Sequence, residues 1–298
     1  MAAVTALIVT GGLVGGCGDD DEGTTAKKPA AAPVAFSVQA TAEGKKQKAL
    51  EFPATIKAGL VNMTLKNDDS VARSAQFLRV TGDQTVEDVL KVVNADETKI
   101  PDFMQDGGGI ANVAPGKTGT ASQVLVPGRY VIWDDLGGDE DDAPGYDELG
   151  AKGEFTVTGP AVDAELPAQP ATVTTTDDLD AAPAERYGFA FEGLKAGTNR
   201  VRFENTGTQL HHALFLPIRK GVTIEEVGTA FSSDEEPEGP PPVDFAKSVG
   251  TVVIDGDIAQ NITLDLAAGR YAVICFLSDR KGGKPHVAQG MIEELTVE

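Results

Sequence analysis

Two short stretches near the end of the chain hold most of its metal-binding donors. "TGTQLHHALF" carries His211 and His212, and "CFLSDRKGGKPHVAQGM" carries Cys275, His286 and Met291. The whole sequence has only three histidines and two cysteines. Two imidazoles, a thiolate and a weak thioether are the donors of a type 1 copper centre, a trigonal plane of two histidines and a cysteine with a long axial methionine. Soft sulfur ligands stabilise Cu(I) and imidazole suits Cu(II), so a constrained compromise lets the ion change oxidation state with little rearrangement. Each residue alone has a plainer reading. A free cysteine usually behaves as a small buried hydrophobe, a lone histidine is more often hydrogen-bonded or at the surface, and a lone methionine is ordinary core.

The elements that would position these residues occur twice. At an offset of 138, "KAGLVNMTLKNDDSVARSAQFLRVTGDQTVEDV" (57–89) lies over "KAGTNRVRFENTGTQLHHALFLPIRKGVTIEEV" (195–227) without a gap. "PGRYVIWDD" (127–135) lies over "AGRYAVICF" (268–276). So long a period means a duplicated domain rather than a solenoid. "VNMTLKN" and "NRVRFEN" alternate apolar and polar residues, as half-buried strands do. "SAQFLRV", "HALFLPI", "ASQVLV", "NITLDL", "RYVIW" and "RYAVI" read as further strands. One short helix per copy is expected after Thr85 and Thr223, because Thr223-Ile-Glu-Glu226 is a capping box and Thr85-Val-Glu-Asp88 its weaker twin. Many short strands separated by turn signals predict an all-β sandwich for each copy. "TGPAVDAELPAQPA" reads as a linker between them, and the Gly-rich "DGGGIANVAPGK" (106–117) as a loop without phosphate-loop spacing.

The second copy resembles the cupredoxins, the small copper proteins of plastocyanin and azurin type. "GRYAVIC" has the pattern Gly-x-Tyr-x-x-x-Cys, "HVAQGM" has His-x-x-x-x-Met, and "NTGTQLHHALF" resembles the strand that supplies the other imidazole. The resemblance implies two tandem Greek-key β-sandwiches and one type 1 copper, with His211, Cys275 and His286 as equatorial ligands and Met291 axial. The overlay favours His211 over His212, whose ring would then point away; a bulge would exchange them. One departure is the loop between Cys275 and His286, ten residues where plastocyanin-like sites have two. Copper nitrite reductases resemble this longer layout, yet they carry a histidine beside the cysteine, and here the neighbours are Ile274 and Phe276. With no spare histidines for a further copper centre, the expectation is a single-electron carrier and no enzyme. The alternatives are a metal-free scaffold and a copper storage or delivery protein.

In the first copy the ligand positions read Arg73 for His211, Asp134 for Cys275, Tyr146 for His286 and Ala151 for Met291. No type 1 copper is expected there. Its acidic stretch "DDLGGDEDDAPGYDE" (134–148) could suit a hard cation, but a solvated loop is the better expectation.

The start of the chain carries a different signal. "MAAVTALIVTGGLVGGCGDDDEG" is a short apolar segment, then small residues, Cys17 and acid, the build of a secretory signal. "LVGGC" resembles a bacterial lipobox, which implies lipidation of Cys17 and leaves Cys275 without a disulfide partner. No Lys or Arg precedes the apolar run, as a start site further upstream would supply. The expected organisation is a signal segment over 1–17, a flexible tether over 18–33, a degenerate cupredoxin-like domain over 34–158, a linker over 159–170 and a copper-motif domain over 171–298. A formal charge of -21 argues against a nucleic-acid partner, since phosphates would be repelled. Expected instead are a place in the bacterial cell envelope outside the cytoplasm, contact with the membrane through the lipid alone, and a redox protein as partner.

Overall fold

A computed structural model describes residues 32–44, 46–95, 99–137, 143–182, 185–233 and 239–298. Cys17, the signal segment and most of the tether lie outside the described residues. Nine strands come from the first copy: β1 (Val34–Glu43), β2 (Gln47–Glu51), β3 (Thr55–Lys57), β4 (Gly59–Asn67), β5 (Arg73–Val80), β6 (Met104–Val113), β7 (Thr118–Leu125), β8 (Gly128–Trp133) and β9 (Lys152–Thr158). Eight come from the second: β10 (Ala171–Asp177), β11 (Tyr187–Glu192), β12 (Gly197–Asn205), β13 (Leu214–Pro217), β14 (Val249–Gly250), β15 (Ala259–Leu266), β16 (Gly269–Ile274) and β17 (Ile292–Val297). Among the described residues each copy has one short α-helix, α1 (Val86–Val93) and α2 (Ile224–Ser232). The architecture is two tandem β-sandwiches, one from each copy.

Period-two patterning drives the strands. In β12, Asn199, Val201, Phe203 and Asn205 point inward while the residues between them are less buried. Val201 and Phe203 pack against Ala213, Phe215, Tyr271 and Val273 from the opposing sheet. Full burial of such an apolar side chain stabilises by about 1.5–3 kcal/mol. Two repeated devices hold corners. Asn67 and Asn205 are buried and close equivalent turns, donating from Nδ2 to the carbonyls of Val71 (2.7 Å) and Gln209 (2.7 Å). Tyr130 and Tyr271 donate their hydroxyls four residues back, to the carbonyls of Val126 (3.0 Å) and Ala267 (2.9 Å). Both helices begin in reciprocal capping boxes, Thr85 with Asp88 and Thr223 with Glu226.

The sheets depart from a simple tandem. One sheet of five strands runs β3-β9-β8-β5-β6, another of four runs β14-β13-β16-β17, and the third is a single sheet of eight, β11-β10-β12-β15-β7-β4-β1-β2. The eight-stranded sheet serves both sandwiches. It is joined where β15 pairs antiparallel with β7, Gln260 opposite Gln123 and Ile262 opposite Ala121. Around this seam Gln76, Gln123 and Gln260 are buried and donate to the carbonyls of Val253, Gly107 and Gly109.

Two expectations are corrected. The Gly-rich stretch is not a loop: Gly107, Gly108 and Gly109 lie within β6, at φ of 99°, 153° and 131°. A Cβ on Gly109 would come within 1.9 Å of the Ala75 carbonyl oxygen, so the strand needs glycine to fit against β5. The acidic stretch is not uniformly solvated either. Residues 138–142 lie outside the described residues, but Asp134 and Asp147 are buried. Asp147 accepts a hydrogen bond from Asn94 Nδ2 at 2.8 Å.

Candidate metal centre

His211 stands six residues beyond β12, after the turn that Asn205 closes. Its N–H and carbonyl both pair with Ile254, at 3.0 Å each way. Alternation continues from there: His211, Ala213 and Phe215 are buried on one face, and His212 and Leu214 are less so. Cys275 directly follows β16 and is fully buried. The ten-residue loop returns to it through two backbone bonds across its neck, His286 N–H to the Leu277 carbonyl (2.7 Å) and Val287 N–H to the Cys275 carbonyl (2.9 Å). His286 opens a short 3-10 turn, His286–Gln289. Gly290, at φ 99°, ends that turn and Met291 N–H closes back onto the His286 carbonyl at 2.8 Å. The long loop therefore leaves His286 beside the cysteine.

Ligand atoms of His211, Cys275 and His286 all lie within 4.8 Å of one another, with Cys275 Sγ 3.6 Å from His286 Nδ1. Among the described residues this is the one group of three or more His, Cys, Asp or Glu side chains that could hold a metal ion. Both imidazoles turn their other nitrogen to a carboxylate. His211 Nε2 meets Asp177 Oδ1 at 3.1 Å, and His286 Nε2 meets Asp279 Oδ1 at 3.2 Å. A carboxylate on Nε2–H fixes the tautomer and leaves the Nδ1 lone pair for a metal. Burial alone would raise the Asp177 pKa, but hydrogen bonds from His211, Gln209 and Thr208 outweigh it and hold the carboxyl well below the usual range. Burial pushes His286 down to about 4, against the pull of Asp279, so its ring is neutral.

The fit to copper rests on an orphaned atom. His211 Nδ1 is buried and has no hydrogen-bond partner. Leaving such a group unsatisfied costs about 1–3 kcal/mol, and a cation at that lone pair removes the cost. Burial pushes the Cys275 thiol up to about 12, against the backbone N–H groups of His212 and Leu277 that point at its sulfur. A metal here would displace the thiol proton, since thiolate is the ligand form. Met291 is fully buried and packs with Cys275 and Tyr187 in one cluster.

His212 takes no part in the group. Its Nε2 accepts the N–H of Phe276 at 2.9 Å, and burial pushes its pKa down to about 4. Three neighbours were not singled out from sequence. Asp177 and Asp279 are two of 46 acidic residues, and no spacing marks them. Tyr187 stacks on His286 at 4.4 Å between ring centroids and 23° between planes, and donates its hydroxyl to Asp279 Oδ1 at 2.7 Å.

The first sandwich repeats the frame with other contents. Arg73 Nε donates to Asp134 Oδ2, and both side chains are fully buried. Asp134 Oδ1 accepts the N–H groups of Ser74 (3.0 Å) and Leu136 (3.3 Å), the counterparts of His212 and Leu277. Arg73 further donates to Asp69 (3.1 Å) and the Thr41 carbonyl (2.9 Å), and lies over the Tyr146 ring at 5.4 Å. Ala151 N–H bonds the Tyr146 carbonyl at 2.9 Å, as Met291 bonds His286.

No family model and no curated protein matches the sequence. Solved structures similar to the chain include copper proteins. One is auracyanin from Roseiflexus castenholzii, 21% identical over 42% of this chain and 97% of that one, with a TM-score of 0.28. Another is auracyanin A, a "blue" copper protein from Chloroflexus aurantiacus, 15% identical over 43% and 100%, with a TM-score of 0.30. A third, copper nitrite reductase from Nitrosomonas europaea, is 18% identical over 89% and 93%, with a TM-score of 0.25. That third finding corrects the expectation of no enzyme. The similar chains include a copper enzyme, and fold alone does not divide carriers from catalysts.

Proposed function

We propose that His211, Cys275 and His286 would hold one type 1 copper ion in the second sandwich, with Met291 as a further weak donor, and that the site exchanges single electrons with a redox protein. The observation that carries this reading is the buried, unpartnered His211 Nδ1 facing a thiol and a second imidazole. Copper would supply a Cu(I)/Cu(II) couple there. The chain's own residues do the rest. Asp177 and Asp279 orient the rings, the His212 and Leu277 N–H groups stabilise negative charge on the sulfur, and Met291 and Tyr187 exclude water. The fixed frame keeps the donors in place while the charge of the site changes.

The proposed setting is the bacterial cell envelope outside the cytoplasm, with lipid on Cys17 as the anchor. "LVGGC" followed by an acidic, Gly-, Ala- and Pro-containing stretch supports it. A single acyl chain anchors only marginally, so the complete multi-acyl lipoprotein modification belongs to this reading.

The test is copper loading of the purified chain, followed by a visible spectrum and elemental analysis. The expected result is an intense thiolate-to-copper band and one copper per chain. Absence of the band without reducing agent would favour a metal-free scaffold.

A further inference from the structure

The loop between Cys275 and His286 is fastened at its middle to the first sandwich. Arg280 is the fastening point. Its N–H donates to Gln209 Oε1 at 2.8 Å, and its carbonyl accepts the N–H of Ile100 at 3.1 Å. Its guanidinium donates from Nη1 to the Met104 carbonyl at 3.0 Å and pairs through Nη2 with Asp255 at 2.5 Å. Ile100 and Met104 belong to the first copy. Asp255 is itself held across the same boundary, because its carboxylate accepts the Asp106 N–H at 3.2 Å and its own N–H bonds the Asp106 carbonyl. The residue before Arg280 is Asp279, which receives both His286 Nε2–H and the Tyr187 hydroxyl.

We infer that the first sandwich positions His286 through Arg280 and Asp279, so that Arg280 is a positioning residue of the metal centre although it lies outside the ligand cluster. The inference rests on the copper reading above and deepens it. A free ten-residue loop would sample many conformations, and ordering it costs backbone entropy. Arg280 takes up contacts at both its backbone groups and both terminal guanidinium nitrogens, which fixes the chain on which Asp279 is carried. A fixed carboxylate on Nε2–H orients the imidazole, holds its tautomer and strengthens Nδ1 as a donor. A stronger nitrogen donor favours Cu(II) over Cu(I). The first copy thereby acts as a wall against which the loop is set.

The test uses the full chain with Arg280→Ala, Arg280→Lys, Asp279→Asn and the Asp279→Asn/Arg280→Ala double variant. Nitrogen-15 NMR of the metal-free protein reads the His286 tautomer. Copper release and reduction potential are read on the loaded protein. The expected wild-type tautomer carries its proton on Nε2. Arg280→Ala is expected to mix the tautomers, release copper roughly 10-fold faster or more and shift the potential upward. Asp279→Asn should shift the potential the same way, and the double variant should go no further than the larger single effect, because residues acting in one chain are not additive. Arg280→Lys, which keeps the charge but not the fork, should fall between and replaces Arg280→Ala if that variant does not fold. Wild-type tautomer, release and potential in both Arg280 variants would overturn the inference, as would single shifts that add in the double. If the wild-type chain binds no copper, the copper reading fails and the metal-free tautomer comparison still decides the role of Arg280.

Discussion

Arg73 and Asp134 form a buried ion pair in the first sandwich at the positions that His211 and Cys275 hold in the second. The backbone donors around Asp134 match those around Cys275, so the frame is the same and only its contents differ. One frame encloses an internally neutralised charge pair, and the other leaves a nitrogen lone pair uncompensated.

Breaking the pair should be costly. Arg73→Ala leaves the Asp134 carboxylate buried without its partner and is expected to destabilise by about 3–5 kcal/mol, and Asp134→Ala should cost less because Arg73 keeps Asp69. Arg73→Met with Asp134→Leu removes both charges and should cost much less. Urea unfolding of the three variants checks this, and equal losses in all of them would contradict it.

Cys275→Ser should abolish the thiolate-to-copper absorption of the loaded protein, because the sulfur is its source. Met291→Leu should keep the colour and raise the reduction potential, since a thioether would be a weak donor whose loss leaves Cu(II) less well donated to. Visible spectra and voltammetry of the two variants separate the roles. His286→Ala with unchanged spectrum and affinity would refute the ligand assignment.

Asp177 should matter without touching the ion. Asp177→Asn removes the anionic partner of His211 Nε2 and is expected to weaken copper binding roughly 10–100-fold. Competition against a chelator measures it, and wild-type affinity would show that the carboxylate is not needed.

Metal-free protein should lose stability in acid. His212 and His286 are held down to about 4 when folded, mainly by burial, and their unfolded value is near 6.5. Below 6.5 the unfolded chain binds protons that the two folded histidines do not, so their contribution is full above that pH and falls toward 4, outweighing the opposite effect of Asp134, which burial raises to about 6. Asp177, depressed when folded, continues the loss below the ordinary carboxylate range, as its own stabilising contribution disappears. Denaturant midpoints at pH 7 and pH 4.5 test the sign, and a midpoint unchanged or higher at pH 4.5 would count against buried neutral histidines.

Cys17→Ser, expressed with a working start site, should leave the membrane fraction. If it sediments with membranes as firmly as wild type, the lipid anchor is the wrong reading.

Much of this was legible in the sequence, for physical reasons that can be named. Strands such as β4 and β12 announced themselves through alternation, because one face of each lies on a core. By contrast β5, β8 and β16 are buried on both faces, and β8 and β16 read as apolar runs. The helix starts announced themselves through Thr85 and Thr223. Rare residue types made His211, Cys275, His286 and Met291 conspicuous. Asp177 and Asp279 escaped because their roles depend on hydrogen bonds formed between segments far apart or within an irregular loop. The Gly-rich stretch misled for a related reason. Its glycines answer a close approach of β5, and a neighbour in space leaves no mark on local sequence. Arg73 and Asp134 could be aligned to ligand positions, but their pairing had to be seen.

The pairing of β7 with β15 has a further consequence. Each is the outermost strand of its own half of the shared sheet, so together they cap one another's open ladder. A half produced alone would present unpaired backbone groups to any passing strand, and such margins template association between chains. The duplicated copies have thus become interdependent at the level of solubility. Cutting the chain within 159–170 should yield sticky fragments rather than two well-behaved domains, and the intact protein should melt in one cooperative transition.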